Sequence, residues 1–449
     1  MSETSGIRAT MTTASRRSFL TNAAVSASGL LSTGLLGFSA PLQELLSEID
    51  RFRGGRVGMS SAKDEEFWHL IRQAYTVSPN VMNLNNGGVS PQPRVVQEAV
   101  ERYNRLSNEA PSYYMWRILD MGREPLREKL ADLAGCSAEE IAIQRNSSES
   151  LETIIFGLPL QRGDEVVLTK QDYPNMINAW KQREKRDGIV LRWLNFDFPI
   201  ENSRSIVDQF VEAFTSRTRV VHITHMINWN GQILPVAQIA QQAHARGIEV
   251  LVDGAHTFAH FDFKIPDLEC DYFGSSLHKW LCAPFGSGML FVKKEKIGML
   301  WPLMGAPEPN GTDIRKFEHL GTRSFAIEQA IGQAVDFHLM IGIQRKQERL
   351  FYLKNYWANA VNTLPGVSIG TSLLPEYGCA LGLLQIEGRD PGDVSEYLFE
   401  KYKIHTVSIK WENIHGVRIT PNVYTLTSDL DKLVEAVKTY LQTSPVPRK

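Results

Sequence analysis

Cysteine is scarce in this chain: Cys136, Cys270, Cys282 and Cys379 are the only four in 449 residues. They form no C-x-x-C pair and are too few for a disulfide framework, so neither a stapled fold nor a zinc ribbon is indicated. They read as small buried hydrophobes, with any pairing among them left open. An excess of one charge is also missing, since 48 Lys and Arg face 50 Asp and Glu for a net charge of -2. That balance favours no nucleic acid and no anionic membrane surface as a partner. After residue 61 no long Pro, Gly or Ser linker interrupts the chain, and no internal repeat or low-complexity tract stands out. With 43% hydrophobic and 22% charged residues, the composition is that of a packed protein, read here as two interleaved domains. A metal motif is lacking as well. His256 and His260 have the i, i+4 spacing of a zinc helix, but Thr257 stands where the glutamate belongs and the pair begins at a strand end. His222 and His225 do not change that, and no metal is expected.

The front of the chain carries an address. Ser15 to Leu20 reads Ser-Arg-Arg-Ser-Phe-Leu, followed by an uncharged stretch to Gln43 rich in Ala, Gly, Ser and Leu. The stretch is too dilute in apolar residues for a spanning helix and resembles a twin-arginine export signal. That resemblance implies passage through the twin-arginine machinery as a folded protein and a periplasmic destination. Phe38-Ser39-Ala40 lacks the small residue expected three positions before a cut, and Pro41 follows, so an uncleaved segment would remain as a membrane anchor.

From Ile141 onward, short runs rich in β-branched and aromatic residues alternate with longer stretches of helical period. Strands are expected at Ile141-Gln144, Glu165-Thr169, Ile189-Leu194, Arg219-Thr224, Glu249-Asp253, Tyr272-Gly274 and Gly288-Val292, with helices such as Ser148-Phe156 and Leu234-Ala245 between them. Several strands are almost wholly apolar, as strands covered on both faces are. Alternation of this kind means an α/β fold with a mainly parallel, seven-stranded sheet, whose ligand site lies past the carboxyl ends of the strands. Beyond about Phe337 the pattern changes to a long helix, strands at Ala380-Ile386 and Gly416-Thr420, and a final amphipathic helix, Asp429-Leu441, a smaller α+β domain. The expected division is 1–43 signal-like, 44–110 linker and N-terminal segment, 111–336 large domain and 337–449 small domain.

The chemistry is carried by two segments. Glu249-Val-Leu-Val-Asp-Gly-Ala-His256 is an apolar strand ending in an acid, and Ser275-Ser-Leu-His-Lys-Trp280 follows it. Chemistry on pyridoxal 5'-phosphate (PLP) needs a carboxylate that keeps the pyridine nitrogen protonated and a lysine that binds the aldehyde carbon as a Schiff base. Asp253 and Lys279 are placed for those roles. Taken singly, Asp253 reads as a strand-end turn acid and Lys279 as a solvated amine; the joint pattern is what points to the cofactor.

With these motifs the sequence resembles the class V aminotransferase family of fold-type I PLP-dependent transferases, and within it the isopenicillin N epimerase-like group. The resemblance runs from Asn83 onward and includes Arg145-Asn-Ser-Ser-Glu149, His225-Met-Ile-Asn228, Gly321-Thr-Arg323 and Val417-Arg-Ile-Thr-Pro421. It implies that Ser147 and Ser148 form a phosphate-binding turn before a helix, and that Tyr173 stacks on the cofactor where desulfurases have histidine. Asn228 and His256 would lie beside the phenolic oxygen, and Ser276 and His278 would bind phosphate. Thr322 would reach the phosphate from the neighbouring subunit of a homodimer, and Arg418 would pair with the substrate carboxylate. Read from its strand alone, Arg418 alternates with Val417 and Ile419 and equally suits a solvent-facing position. Lys279, Asp253 and His256 are the candidate catalytic residues.

The activity implied is action at Cα of an amino acid or peptide-like amino substrate, by epimerisation or amino transfer. A carbon-sulfur or carbon-selenium lyase is the alternative on the same scaffold, and a catalytically silent PLP-fold binding protein the alternative outside enzymes. The presence of both Lys279 and Asp253 argues against the last.

Overall fold

The computed structural model describes residues 38–53 and 59–443. Arg16, Arg17 and the rest of the signal-like segment through residue 37 lie outside the described residues.

The centre of the molecule is a seven-stranded sheet built from β2 (Ile141–Gln144), β3 (Glu165–Thr169), β4 (Val190–Leu194), β5 (Thr218–Thr224), β6 (Glu249–Asp253), β7 (Tyr272–Ser276) and β8 (Gly288–Val292), in the order β2-β8-β7-β6-β5-β3-β4. Only β8 runs against its neighbours; the remaining pairings are parallel. The alternation along each strand explains why these segments are apolar throughout. Val221, Ile223, Val250 and Val252 enter one core, while Val220, Leu251, Val166 and Leu168 enter the other. Side chains of a strand point alternately to its two faces, so a sheet covered on both needs apolar residues at every position.

One face is covered by α5 (Ser147–Gly157) and α6 (Pro174–Asp187), through Leu151, Ile154, Met176 and Trp180. The other is covered by α7 (Ser203–Ala213) and α8 (Val236–His244), through Ile206, Phe210, Ile239 and Ala243. The smaller body is an antiparallel sheet in the order β12 (Val407–Trp411), β13 (Ile414–Ile419), β10 (Gly382–Ile386), β9 (Val367–Ile369). It packs with α10 (Ile343–Val361), α11 (Pro391–Tyr402) and α12 (Thr427–Thr443) around Leu353, Trp357, Leu398, Leu430 and Leu433.

The described residues of 44–110 are folded into both bodies. Helix α1 (Ala40–Arg53) buries Leu42, Leu45, Leu46 and Ile49 in the large core, and β1 (Met82–Asn83) pairs in parallel with β11 (Ile404–His405) of the small one. Phe38 joins the same core with Arg102 over its ring, and Ser39 bonds Glu98 through its amide and its hydroxyl. Because α2 (Glu65–Gln73) also meets α12 through Arg72 and Asp429 (2.6 Å), the N-terminal residues clamp the two bodies together. All four cysteines are free thiols, and all but Cys136 are buried.

Candidate active site

Asp253 ends β6, Ser276 ends β7, Thr224 ends β5, and Gly288 begins antiparallel β8, so all four stand at one edge of the sheet. Asn146 follows β2 at the same edge and caps α5, its Oδ1 accepting the Glu149 amide at 2.9 Å. The approach there is close. A Cβ on Gly288 would come within 2.5 Å of the Asn146 backbone nitrogen, so glycine lets the start of α5 lie against β8. Ser276 Oγ accepts the Ser147 amide at 2.9 Å and donates to Ser147 Oγ at 2.9 Å. Ser148 stands in the first turn of the same helix, within reach of Asn175 Nδ2 at 3.5 Å. The result is a hydroxyl-lined helix N-terminus, which the helix dipole makes attractive to phosphate.

Lys279 lies at the centre. Its Nζ is 2.9 Å from His256 Nε2, and burial brings its pKa down to about 8, with nearby Asp253 opposing the shift and Arg418 reinforcing it. His256 is held well below the usual imidazole range, first by burial and then by Lys279 and Arg418, so it is neutral and able to accept a hydrogen bond from the lysine. The backbone around Lys279 is pinned: Trp280 stacks on His260 at 3.6 Å, Lys346 Nζ donates to the Trp280 carbonyl, and His260 Nδ1 donates to the His256 carbonyl at 2.7 Å. His260 Nε2 accepts the Ala380 amide at 3.1 Å, and His225 Nδ1 pairs with Thr257 Oγ1 at 3.2 Å, so the histidines serve hydrogen bonds and packing.

Asp253 is buried, with one oxygen accepting the Ala255 amide at 2.9 Å. Burial raises its pKa; the Ala255 amide, His222 and Lys279 pull it down, and Asp172 pushes it up. His278, half-buried, turns Nδ1 to the Ser287 carbonyl at 3.2 Å, and its carbonyl accepts the Ser90 amide. Tyr173 caps α6 with its ring 40% exposed and acts on the Arg418 guanidinium, which puts the two in one neighbourhood. Thr322 stands apart from this group, exposed in the Gly321–Ser324 segment, which is tied down by Arg323 to Glu328 and to Asp120.

Arg418 is not solvent-facing. It is buried, with Nη1 donating to the Asn228 carbonyl at 2.6 Å and Nη2 to Asn85 Oδ1 at 3.0 Å, and burial brings its pKa down to about 10. Among the described residues no carboxylate pairs with it. A buried guanidinium without an acid is costly unless an anion completes it. Strand period alone does not reveal this burial, because β13 is covered on both faces. Asn85 was also hidden in the sequence; the Asn83–Gly88 turn reads as an ordinary Asn/Gly turn, yet Asn86 and Gly87 bond Thr420, which fixes Asn85 beside the arginine.

The residues present fit PLP. A helix N-terminus with Ser147, Ser148 and Ser276 suits its phosphate, Asp253 its ring nitrogen, and Lys279 its aldehyde. Asn228 Oδ1, His256 Nδ1 and Arg418 Nε are buried and make no hydrogen bond to the described residues, so each is left without a protein partner and suits a polar ligand.

Comparison with known proteins agrees with this geometry. The sequence model of the aminotransferase class-V family matches residues 82–408. Isopenicillin N epimerase of Streptomyces clavuligerus is 27% identical over 82% of this chain and 97% of its own. A probable cysteine desulfurase of Halalkalibacterium halodurans is 28% identical over 76% of this chain and 86% of its own. Among solved structures, C-DES with glycine covalently linked to its PLP cofactor superposes with a TM-score of 0.73 at 21% identity, covering 81% of this chain and 98% of that one, a likeness of fold.

Proposed function

Because the chain belongs to the aminotransferase class-V family and is a PLP-dependent enzyme of fold type I, we propose that it acts at Cα of an amino acid or peptide-like amino substrate, by epimerisation or amino transfer. The observation that carries this reading is the buried, acid-free Arg418 close enough to Lys279 to help bring that lysine's pKa down to about 8. One group binds a carboxylate and the other handles the proton one bond away from it.

When bound, PLP supplies a ring that draws electrons from the substrate Cα and so weakens its bonds. The protein does the rest. Ser147, Ser148, Ser276 and His278 would hold the phosphate, Asp253 would keep a proton on the pyridine nitrogen, and Asn228 and His256 would serve the phenolic oxygen. Arg418 fixes the substrate carboxylate with its planar fork. The Lys279 amine, partly neutral at physiological pH, takes up and returns the Cα proton at Nζ, and neutral His256 Nε2 steadies its protonated form. Purified holo-protein screened against amino acids and peptides should show a change in the visible absorption of the cofactor with its substrate, and mass spectrometry then identifies epimer, keto acid or eliminated fragment. No response to any α-amino carboxylate would reject the reading.

Persulfide-forming desulfuration is not expected. That chemistry needs a thiolate on a mobile loop shortly before the carboxylate-binding arginine, and 402–417 contains no cysteine. The segment is instead a tight hairpin. Trp411 pairs with Ile414, Trp411 stacks on Trp229 at 5.0 Å, and Asn413 donates to the Phe196 carbonyl at 2.8 Å and accepts from Gln171 at 2.9 Å. Cys379, the nearest upstream thiol, is buried and pushed up to about 12, chiefly by that burial. Incubation with cysteine should leave no protein-bound persulfide. A persulfide that vanishes together with turnover when all four cysteines are replaced would contradict this. Elimination from a cysteine conjugate needs no protein thiol and stays compatible with the site.

A homodimer is proposed because exposed Thr322 adjoins, through the Arg323–Asp120 pair, a segment that leaves Tyr113, Trp116 and Met121 uncovered. Light scattering of the holo-protein should give at least twice the chain mass; a fully active monomer would contradict it. Export through the twin-arginine route is likewise proposed. Changing Arg16 and Arg17 together to lysine should leave folded, yellow protein in the cytoplasm, read by cell fractionation, whereas unchanged extracytoplasmic protein would remove the claim.

A further inference from the structure

His222 is an unexpected residue for its place. It lies in β5 with no exposed surface, and strand alternation puts it on the face that carries Val220, Leu251, Leu168 and Trp180. A polar ring in such a core is costly unless both of its nitrogens are used. One is: Trp180 Nε1 lies 3.3 Å from His222 Nδ1, with the rings edge-on at 87°. Indole nitrogen is only a donor, so Nδ1 must accept and the ring proton must sit on Nε2. The tautomer is therefore set by chemistry, and the Nε2–H is buried with no acceptor among the described residues.

The group it serves is on the next strand. In the β5–β6 register His222 pairs with Leu251 and Thr224 with Asp253, which places His222 and Asp253 on a diagonal of one face. Such positions are about 7–8 Å apart between Cα atoms, a span that imidazole and carboxyl cover with one water between them. The electrostatics run the same way in both directions. Asp253 is the charged group that opposes the lowering of the His222 pKa, and His222 is among the groups that favour the ionised form of Asp253, so the two side chains lie within interaction range of each other.

We infer that His222 is a positioning residue that acts through Asp253: its Nε2–H holds the Asp253 carboxyl ionised and oriented toward the site of the pyridine nitrogen. Burial brings His222 to about 4, so it works as a neutral donor and not as a second cation. The groups around the carboxyl then divide. Lys279 and His222 favour its charged form, while Asp172, held by Thr224 Oγ1 at 2.7 Å and the Thr169 amide at 2.8 Å, opposes it from the end of β3. The inference rests on the cofactor reading and extends it to a residue that touches neither cofactor nor substrate.

The test uses His222→Phe, which removes the donor, His222→Gln, which restores one, and Trp180→Phe, which releases the tautomer. Two quantities are read: the dissociation constant for PLP added back to apo-protein, and the acid-side midpoint of the visible-absorbance titration of holo-protein. His222→Phe should weaken cofactor binding by about tenfold and move the midpoint up by about one unit, since one pKa unit is a factor of ten. Removing the donor favours the protonated carboxyl, hence the upward direction. His222→Gln should recover most of both effects, and Trp180→Phe should fall between. A folded His222→Phe protein with wild-type values overturns the inference, as does a His222→Gln protein no better than His222→Phe, which marks a packing role. Should His222→Phe not fold, wild-type values for Trp180→Phe overturn it instead. Failure of the wild-type apo-protein to bind PLP at all would remove the cofactor reading itself, a result distinct from either.

Discussion

Replacing Lys279 by alanine abolishes covalent attachment of PLP and lowers turnover by about 10⁴-fold or more, the upper range for loss of a general acid-base group compounded by loss of the cofactor link. Among the described residues, three other buried lysines are committed elsewhere. Lys316 is buried, but its Nζ donates to the carbonyls of Ile297, Leu300, Pro309 and Gly311. Lys346 is committed to the Trp280 carbonyl and Lys354 to that of Ser372. Lys354 is the instructive comparison, because burial brings it, like Lys279, to about 8. A lowered pKa alone therefore does not mark the cofactor lysine; proximity to His256 and to Asp253 does. Borohydride reduction followed by peptide mapping reads the attachment point directly. Label on any other lysine, or a Lys279→Ala protein that keeps both its label and its turnover, would reject the assignment.

Arg418→Ala should reduce kcat/KM for a carboxylate substrate by roughly 10²–10³-fold, the scale of about 2–5 kcal/mol for truncating one partner of a buried charged pair. Most of that loss belongs to substrate binding, so the visible spectrum of the resting holo-protein should be nearly unchanged. Arg418→Lys keeps the charge but loses the two-pronged geometry and cannot satisfy both the Asn228 carbonyl and Asn85 Oδ1 while meeting a carboxylate. It should recover only part of the activity. Alanine also leaves those two acceptors unpaired, at about 1–3 kcal/mol for a buried group, so thermal unfolding is measured beside kinetics. A wild-type kcat/KM in a folded Arg418→Ala protein would show that the substrate carboxylate binds elsewhere, and an unchanged affinity for a simple carboxylate competitor would say the same.

The order of strands and helices in the large body is legible without coordinates. Ile141–Gln144, Glu165–Thr169, Glu249–Asp253 and Gly288–Val292 match their expected bounds, and the other three strands differ by one or two residues at an end. Local pattern suffices there, because a strand covered on both faces must be apolar at every position and a turn residue must end it. The residues proposed to hold the cofactor are legible for a related reason. Asp253 and Lys279 sit at strand ends, where a parallel sheet puts its ligands, and their segments carry a family's spacing.

What sequence could not supply are the features made by residues far apart in the chain. Asn85 lies 333 positions from Arg418 and is brought to it by its bridge to Thr420 and the bonds of Asn86 and Gly87 to the same residue. His222 and Trp180, 42 positions apart, meet only because α6 crosses the face on which β5 turns His222 inward. Residues 44–110 carry no motif that announces their role as a clamp, since that role depends on Arg72, β1 and α1 finding partners in two different bodies. Sequence on its own therefore yielded the strands of the sheet, their ends and the candidate lysine and aspartate, all consequences of local period and short-range turn chemistry. The burial of Arg418, the tautomer of His222 and the lowered pKa of Lys279 were decided by tertiary structure, because desolvation and long-range contacts exist only once both bodies close around the site.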